Sequence, residues 1–283
     1  MNEASDIYYH FCDFSIYELE NIANQQLYFS PISSFNDPED SHLRIDSEKM
    51  LKQKDLRHYL FNLGVKEDRF GLFLHQVATG IEQCLYVASF SKMTDPNLPT
   101  MWGYYGGKSK GMRLAFDFSL FRPQKGCLDL ETSLIRVRYE RTNDQVVAIS
   151  DRLVAALLRE NDQGGKASAK SFFSRLPLLL AKIEPRFHED ICACVSEKLP
   201  CWAPEKEYRL VRILSPRRRP FLKYQNRSFL HEIALGPSAG ASQVQLVKTL
   251  CAGLDPKHYI EEYDQETKTR VLLRRGARIH EKE

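Results

Sequence analysis

Strand-like runs stand at both ends of this chain, and a long helical stretch lies between them; no other feature limits the fold so strongly. Early in the chain, residues 7–11, 27–29, 84–90 and 111–117 are rich in β-branched and aromatic side chains. Residues 134–141 alternate Ile135, Val137 and Tyr139 against Arg136, Arg138 and Glu140, which puts one face in the core and one in water. From residue 144 to 198 the pattern is helical, broken by Gly164-Gly165 and Pro185. Strand composition returns over residues 207–214, 220–224, 230–235 and 269–273, with a helix at 241–250 among them. Such an order predicts an α+β fold. Its sheet is assembled from both ends of one domain spanning residues 1–283, and residues 144–198 form a helical insertion. Two more helices are predicted at 47–63 and 66–83, the second with Phe70, Leu74, Val77 and Ile81 on one face. Ser15 followed three residues later by Glu18 reads as a helix start.

Because that topology lets residues far apart in sequence share a cleft, three polar strings become the leading site candidates. They are Phe35-Asn36-Asp37-Pro38-Glu39-Asp40, the aromatic and glycine-rich residues 101–111, and residues 202–209 at the head of a late strand. Asn36-Asp37-Pro38 has turn chemistry: side chains that mimic turn hydrogen bonds, then a proline that fixes φ. On an extended backbone, Glu205, Glu207 and Arg209 fall on one face, sheltered by Trp202 and Pro204. A carboxylate so placed serves as a general base or steadies a developing cation, or else simply starts a surface strand. In residues 101–111, aromatics supply stacking faces and glycines allow close backbone approach, which suits a nucleotide; an aromatic-anchored hairpin is the plainer alternative. His10, between Tyr9 and Phe11, is either a core histidine or a ligand-binding one.

Several classes are excluded or weakened. Gly107-Lys108-Ser109 matches the end of a phosphate-binding loop, but Trp102 stands where its first glycine belongs. Neither H-E-x-x-H nor G-x-G-x-x-G occurs. His188, Cys192, Cys194 and Cys201 lack a paired C-x-x-C, so no resident metal is expected there. Seven cysteines, an odd number in mostly apolar context, read as reduced buried thiols. The net charge of +3, from 40 basic and 37 acidic residues, argues against a surface that is nucleic-acid footprint throughout. Arg217-Arg218-Arg219 and Arg274, Arg275 and Arg278 are local basic clusters that either meet phosphate or stay solvated. The first residues lack a signal-peptide pattern, and the longest apolar run, 176–183, is shorter than the ~20 residues of a membrane span. A cytoplasmic protein with no membrane partner is the expectation.

The strings also occur in a familiar order. Leu27-Tyr28-Phe29-Ser30-Pro31 leads into Phe35-Asn36-Asp37-Pro38-Glu39. Next come Ser89-Phe90-Ser91, then Met101-Trp102 with Tyr104 and Tyr105. Gly111 to Asp117 follows, and finally Trp202 with Glu205 to Arg209. Over about residues 8 to 214 this resembles bacterial domain of unknown function family 2971, of which Asn36, Asp37, Glu39, Trp102, Trp202 and Arg209 would be motif positions. Cys12 departs from the basic residue common there. The resemblance implies no activity. More distantly, Tyr9-His10-Phe11 before a helix and a strand ending at Ser30 is similar to the opening of DarT-type ADP-ribosyltransferases. Those also carry a catalytic glutamate at the head of a late apolar strand, the form of Glu207-Tyr208-Arg209-Leu210-Val211.

That second resemblance implies an ADP-ribosyltransferase-like split sheet and NAD as substrate. His10 would bind the ribose or amide beside Ser30, with Tyr104 or Tyr105 stacked on nicotinamide and Arg44 as the NAD-contacting arginine. Glu207, with Glu205, would hold a ribose hydroxyl and stabilise the oxocarbenium-like centre. The implied protein transfers ADP-ribose to a macromolecule, nucleic acid or protein, as a bacterial toxin or phage-defence effector with an antitoxin partner. Two other classes stay open: a Mg²⁺-dependent nuclease using Asp37, Glu39, Glu205 and Glu207 with Lys206, and a non-catalytic nucleotide-sensing module.

Overall fold

A computed structural model describes residues 6–35, 40, 43–93, 99–121, 134–140, 143–162, 168–180, 185–214 and 220–275. The chain opens with β1 (Ile7–Cys12), α1 (Ile16–Ala23), β2 (Gln26–Tyr28) and β3 (Ser30–Pro31). It continues through α2 (Ser47–Met50), α3 (Lys54–Asn62), α4 (Phe70–Glu82), β4 (Leu85–Ser91), α5 (Pro99–Tyr104), β5 (Met112–Asp117) and β6 (Leu134–Arg136). Helices α6 (Asn143–Asp162), α7 (Ala169–Leu180) and α8 (Pro185–Cys194) follow, then β7 (Glu207–Ile213), β8 (Phe221–Lys223) and β9 (Leu230–Leu235). Finally come α9 (Ala241–Leu254), β10 (Tyr259–Tyr263) and β11 (Arg270–Arg274).

The architecture is mixed α+β around a nine-stranded antiparallel sheet of order β10-β11-β9-β5-β1-β4-β7-β6, with β3 also paired to β4. Early strands β5, β1 and β4 lie side by side at the centre, flanked by late strands β9 and β7, so both ends of the chain build the sheet. One face is covered by α2, α3, α4 and α6–α8 over a core of Leu60, Leu74, Ile81, Phe172, Ile191 and neighbours. The opposite face carries α1, α9 and the β2–β8 pair, closing on Phe90, Leu114, Phe229 and Ile233. At α1, Ser15 Oγ accepts the Glu18 amide at 3.2 Å, the N-cap that the sequence spacing predicts.

The sheet parts between β1 and β4. Strand β1 pairs with β5 along its whole length, yet it meets β4 only where Tyr9 stands opposite Ser91. Further along β4, Val87 and Tyr86 pair instead with Ser30 and Pro31 of β3. The Ser89 carbonyl, between the two pairings, accepts a hydrogen bond of 2.8 Å from His10 Nδ1. A side chain thus bridges the gap that the backbone ladder leaves.

Four expectations need correction. The helix predicted at 47–63 is two helices, because the polar run Lys52-Gln53-Lys54 carries no apolar face across and Gln53 is extended. The strand predicted at 134–141 ends at Arg136: Arg138 N donates to Ser196 O, and Lys198 N to Arg138 O, so the chain exchanges β7 for a new partner. Residues 101–104 are helical, in α5, and only the residues after them form a turn. Glu205 ends a 3₁₀ helix, Pro200–Glu205, and is not on extended backbone. Strand β10 carries no legible signal in Tyr259-Ile260-Glu261-Glu262-Tyr263, whose alternation is lost among exposed charges.

Among the described residues, no helix is long and apolar enough to cross a membrane. Cys12, Cys84, Cys192, Cys194 and Cys251 are buried free thiols and Cys201 is exposed, while Cys127, Gly164-Gly165, Arg217 to Arg219 and Arg278 lie outside the described residues.

Candidate functional site

Registers across the sheet place the site's floor. Tyr9 stands opposite Ser91, Ser91 opposite Glu207, and Ser89 opposite Arg209, so Glu207 and Arg209 project from the helix-covered face of β7. Arg209, 1% exposed, is held by both of its ends. Its Nε donates to Glu207 Oε1 at 2.7 Å and Nη2 to Oε2 at 3.1 Å. On the other side, Nη1 and Nη2 reach the two oxygens of Asp40 at 2.9 and 2.7 Å. Nη1 also donates to the Val195 carbonyl at 2.5 Å. The guanidinium matches two carboxylates at once, a geometry that a point-charge lysine does not reproduce.

Lys198 completes the cluster. Its Nζ lies 2.7 Å from Glu205 Oε2, 2.9 Å from Glu207 Oε2 and 3.7 Å from Asp40. The exchange of partners at Arg138 is what delivers Lys198 there, through the bridge of Arg138 with Glu197. Glu205 arrives differently from the alternation expected of it. Lys206 adopts left-handed backbone (φ 46°), which turns the 3₁₀ helix into β7 and folds Glu205 back beside Glu207. Tyr105 Oη donates to Glu205 Oε1 at 2.5 Å, and Ser91 Oγ donates to the Glu205 carbonyl. Tyr139 Oη accepts the Glu207 amide at 2.7 Å.

Burial alone would raise the Glu207 pKa; Arg209 and then Lys198 outweigh it and hold the carboxyl at about 2, against an ordinary 4.5. Burial lowers Lys198, but Glu207 and Glu205 overcome this and raise it. Tyr105 is raised by burial and by its hydrogen bond to Glu205, so it stays a phenol. Because the Glu207 pKa is depressed on folding, its stabilisation is present above pH 4.5 and lost as pH falls through about 2. That leg is worth about 3 kcal/mol. Acid titration followed by circular dichroism should show it, and Glu207→Gln should flatten it.

Above the cluster opens a cleft of about 660 Å³, a volume that suits a small organic ligand. His10, Ser30, Tyr104, Tyr105, Glu205 and Glu207 all border it, as do Trp202 and Arg209. His10 leaves β1 on the side opposite Tyr9 and Phe11, and it reaches the cleft because β1 and β4 part beside it. Tyr104, 70% exposed, meets Trp202 edge to face at 6.1 Å between centroids, and the two form an aromatic rim.

Other predicted residues fall elsewhere. Trp102, 2% exposed, packs behind the site against Phe11 at 5.1 Å and does not border the cleft. Arg44 is also absent from the lining and sits 3.5 Å from Glu197; among the described residues Arg209 is the arginine that borders the cleft. Asn36, Asp37 and Glu39 lie outside the described residues, as does the His188 side chain. Sequence reasoning missed Lys198 and the role of Asp40; two buried charges, 5% exposed each, were legible only once the fold had paired them.

Within residues 101–111, Gly106, Gly107 and Gly111 are closely packed, whereas Gly103 faces open space. A Cβ on Gly111 would collide with the Cys12 carbonyl oxygen, and would sit 2.9 Å from the Gly106 carbonyl. The turn therefore packs tightly on β1. Gly111→Ala is expected to cost about 1–3 kcal/mol, read as a lower urea midpoint.

No family model, curated protein or solved structure matches the chain.

Proposed function

We propose that the cleft binds NAD and transfers its ADP-ribose to a macromolecule, nucleic acid or protein. The observation that carries this reading is the ionised Glu207 at the cleft floor, oriented by Arg209 and Lys198, with Glu205 beside it and an aromatic rim above. Among the described residues, three carboxylates, Asp40, Glu205 and Glu207, stand with two cations, Lys198 and Arg209, one negative charge in excess. Such a field favours a cationic transition state. Each carboxylate oxygen accepts two hydrogen bonds. Among the described residues Glu207 Oε1 receives one, from Arg209, and keeps a lone pair for a ribose hydroxyl.

In the proposed step the bond from ribose C1′ to the nicotinamide nitrogen breaks, and its electron pair leaves with nicotinamide. Positive charge builds at C1′ near Glu207 and Glu205, and a nucleophile of the target then bonds to C1′ and loses its proton to solvent. Tyr104 or Tyr105 stacks on the leaving ring, and His10 and Ser30 hold ribose or amide from the far wall. The parting of the sheet beside His10 supports an ADP-ribosyltransferase-like split sheet, and the strings running from Ser30-Pro31 to Arg209 support membership of the family of unknown function. A toxin or phage-defence role, with an antitoxin as partner, belongs to the same proposal.

The placement of the two cations argues against the nuclease reading. Glu205 and Glu207 already face Lys198 and Arg209, and a Mg²⁺ ion would enter beside two fixed cations. The same pairing suits a module that binds nucleotide and turns nothing over, so nicotinamide release separates the two. Purified protein is expected to liberate nicotinamide from NAD, and EDTA is not expected to lower the rate. Nucleic-acid cleavage that needs a divalent metal and ignores NAD would overturn the proposal. Tyr104→Ala should raise the KM for NAD about tenfold, from loss of roughly 1–3 kcal/mol of stacking, with unfolding unchanged because the side chain is exposed.

A further inference from the structure

The far side of β1 from Glu207 carries a second cluster, of which the NAD reading uses only His10. His10 and Cys12, two apart on the strand, project to the same side, and Glu18 comes from the first turn of α1. A ring nitrogen of His10, Cys12 Sγ and a Glu18 carboxylate oxygen all lie within 4.8 Å of one another. We infer that His10, Cys12 and Glu18 bind one thiophilic divalent cation of the zinc class.

Four features point the same way. A carbonyl oxygen only accepts, so the 2.8 Å contact of His10 Nδ1 with Ser89 O puts the ring proton on Nδ1 and leaves the Nε2 lone pair for a ligand. A backbone carbonyl on the second nitrogen is also the support that orients metal-binding histidines. Glu18 is positioned by the Ser15 cap, and Asn21 donates to its Oε2 at 3.4 Å, so Oε1 is left for a ligand among the described residues. Among the described residues, Cys12 Sγ makes one long contact, 3.8 Å, to the Met112 carbonyl. The three residues border a cavity of about 380 Å³, which gives a cation access and leaves room for a water as fourth ligand.

One nitrogen, one sulfur and one oxygen ligand suit zinc or cobalt and not magnesium, and a thiolate with a carboxylate neutralises a divalent charge. On binding, the Cys12 S–H bond gives way to a sulfur–metal bond and the proton goes to solvent. If NAD occupies the cleft as proposed above, metal and ribose compete for the same Nε2 lone pair, and the cation acts as an inhibitor. That consequence rests on the NAD reading; the metal site itself does not.

Titration of the reduced, full-length protein with Co²⁺ tests the site without any nucleotide. One equivalent should bind with a thiolate-to-cobalt charge-transfer band, and Zn²⁺ should displace it. Cys12→Ser should abolish the band, and Glu18→Gln should weaken binding by about tenfold or more. Absence of the band from the wild type, or its survival unchanged in Cys12→Ser, would overturn the assignment. Should Cys12→Ser fail to fold, zinc-edge X-ray absorption of the wild type decides: a shell of one sulfur with nitrogen and oxygen supports the site, and a sulfur-free or multi-sulfur shell contradicts it.

Discussion

Glu207→Gln is expected to cut nicotinamide release from NAD by about 10²–10³-fold, the usual cost of removing one preorganised electrostatic partner of a transition state. The amide keeps the shape of the side chain and removes its charge, and the pull on the cationic ribose goes with it. The variant also loses the stabilisation tied to the depressed Glu207 pKa, so rates are to be compared well below its unfolding midpoint. Glu205→Gln separates the two carboxylates. Glu205 holds Tyr105 and Lys198 at 2.5 and 2.7 Å, so its loss should loosen the site and reduce the rate less. Equal, small effects from both substitutions would mean that neither carboxylate faces the reacting carbon.

Arg209→Met is expected to cost about 3–5 kcal/mol, because Asp40 and Glu207 lose the guanidinium that pairs with both and stay buried. Methionine has nearly the right length and apolar character, so the loss reports on charge and hydrogen bonds more than on volume. Arg209→Lys should recover less than half of it, since one ammonium cannot make the two paired contacts of the guanidinium. Urea denaturation of the three proteins measures both numbers. A loss below about 1 kcal/mol would show that the cluster is far better hydrated than its burial implies.

Much of the fold was legible because its elements have strong periods. Phe70, Leu74, Val77 and Ile81 lie on the buried face of α4, and β5, β7, β9 and β11 fall within a residue or two of their expected bounds. Where tertiary pairing decided, the pattern misled. Val137 is buried as its alternation demands, yet the strand ends before it because the chain turns toward residues 196–198. Glu205 and Glu207 do share one site, but through the left-handed turn at Lys206 and not through strand alternation. Lys198 follows a helical stretch and reads as a solvated lysine; only the fold shows it buried between two glutamates. Residues 101–111 were informative for their aromatics and misleading for Gly106, Gly107 and Gly111, which serve packing.

The proposed transfer of ADP-ribose from NAD to a macromolecule is the step on which the reading of this cleft stands. It is tested most directly by incubating the protein with NAD labelled in its adenylate phosphate, alongside separate pools of protein, DNA and RNA, with and without EDTA. Label in one pool, released nicotinamide in matching amount, and no loss of either on chelation are expected. No label in any pool together with no nicotinamide would contradict the transfer.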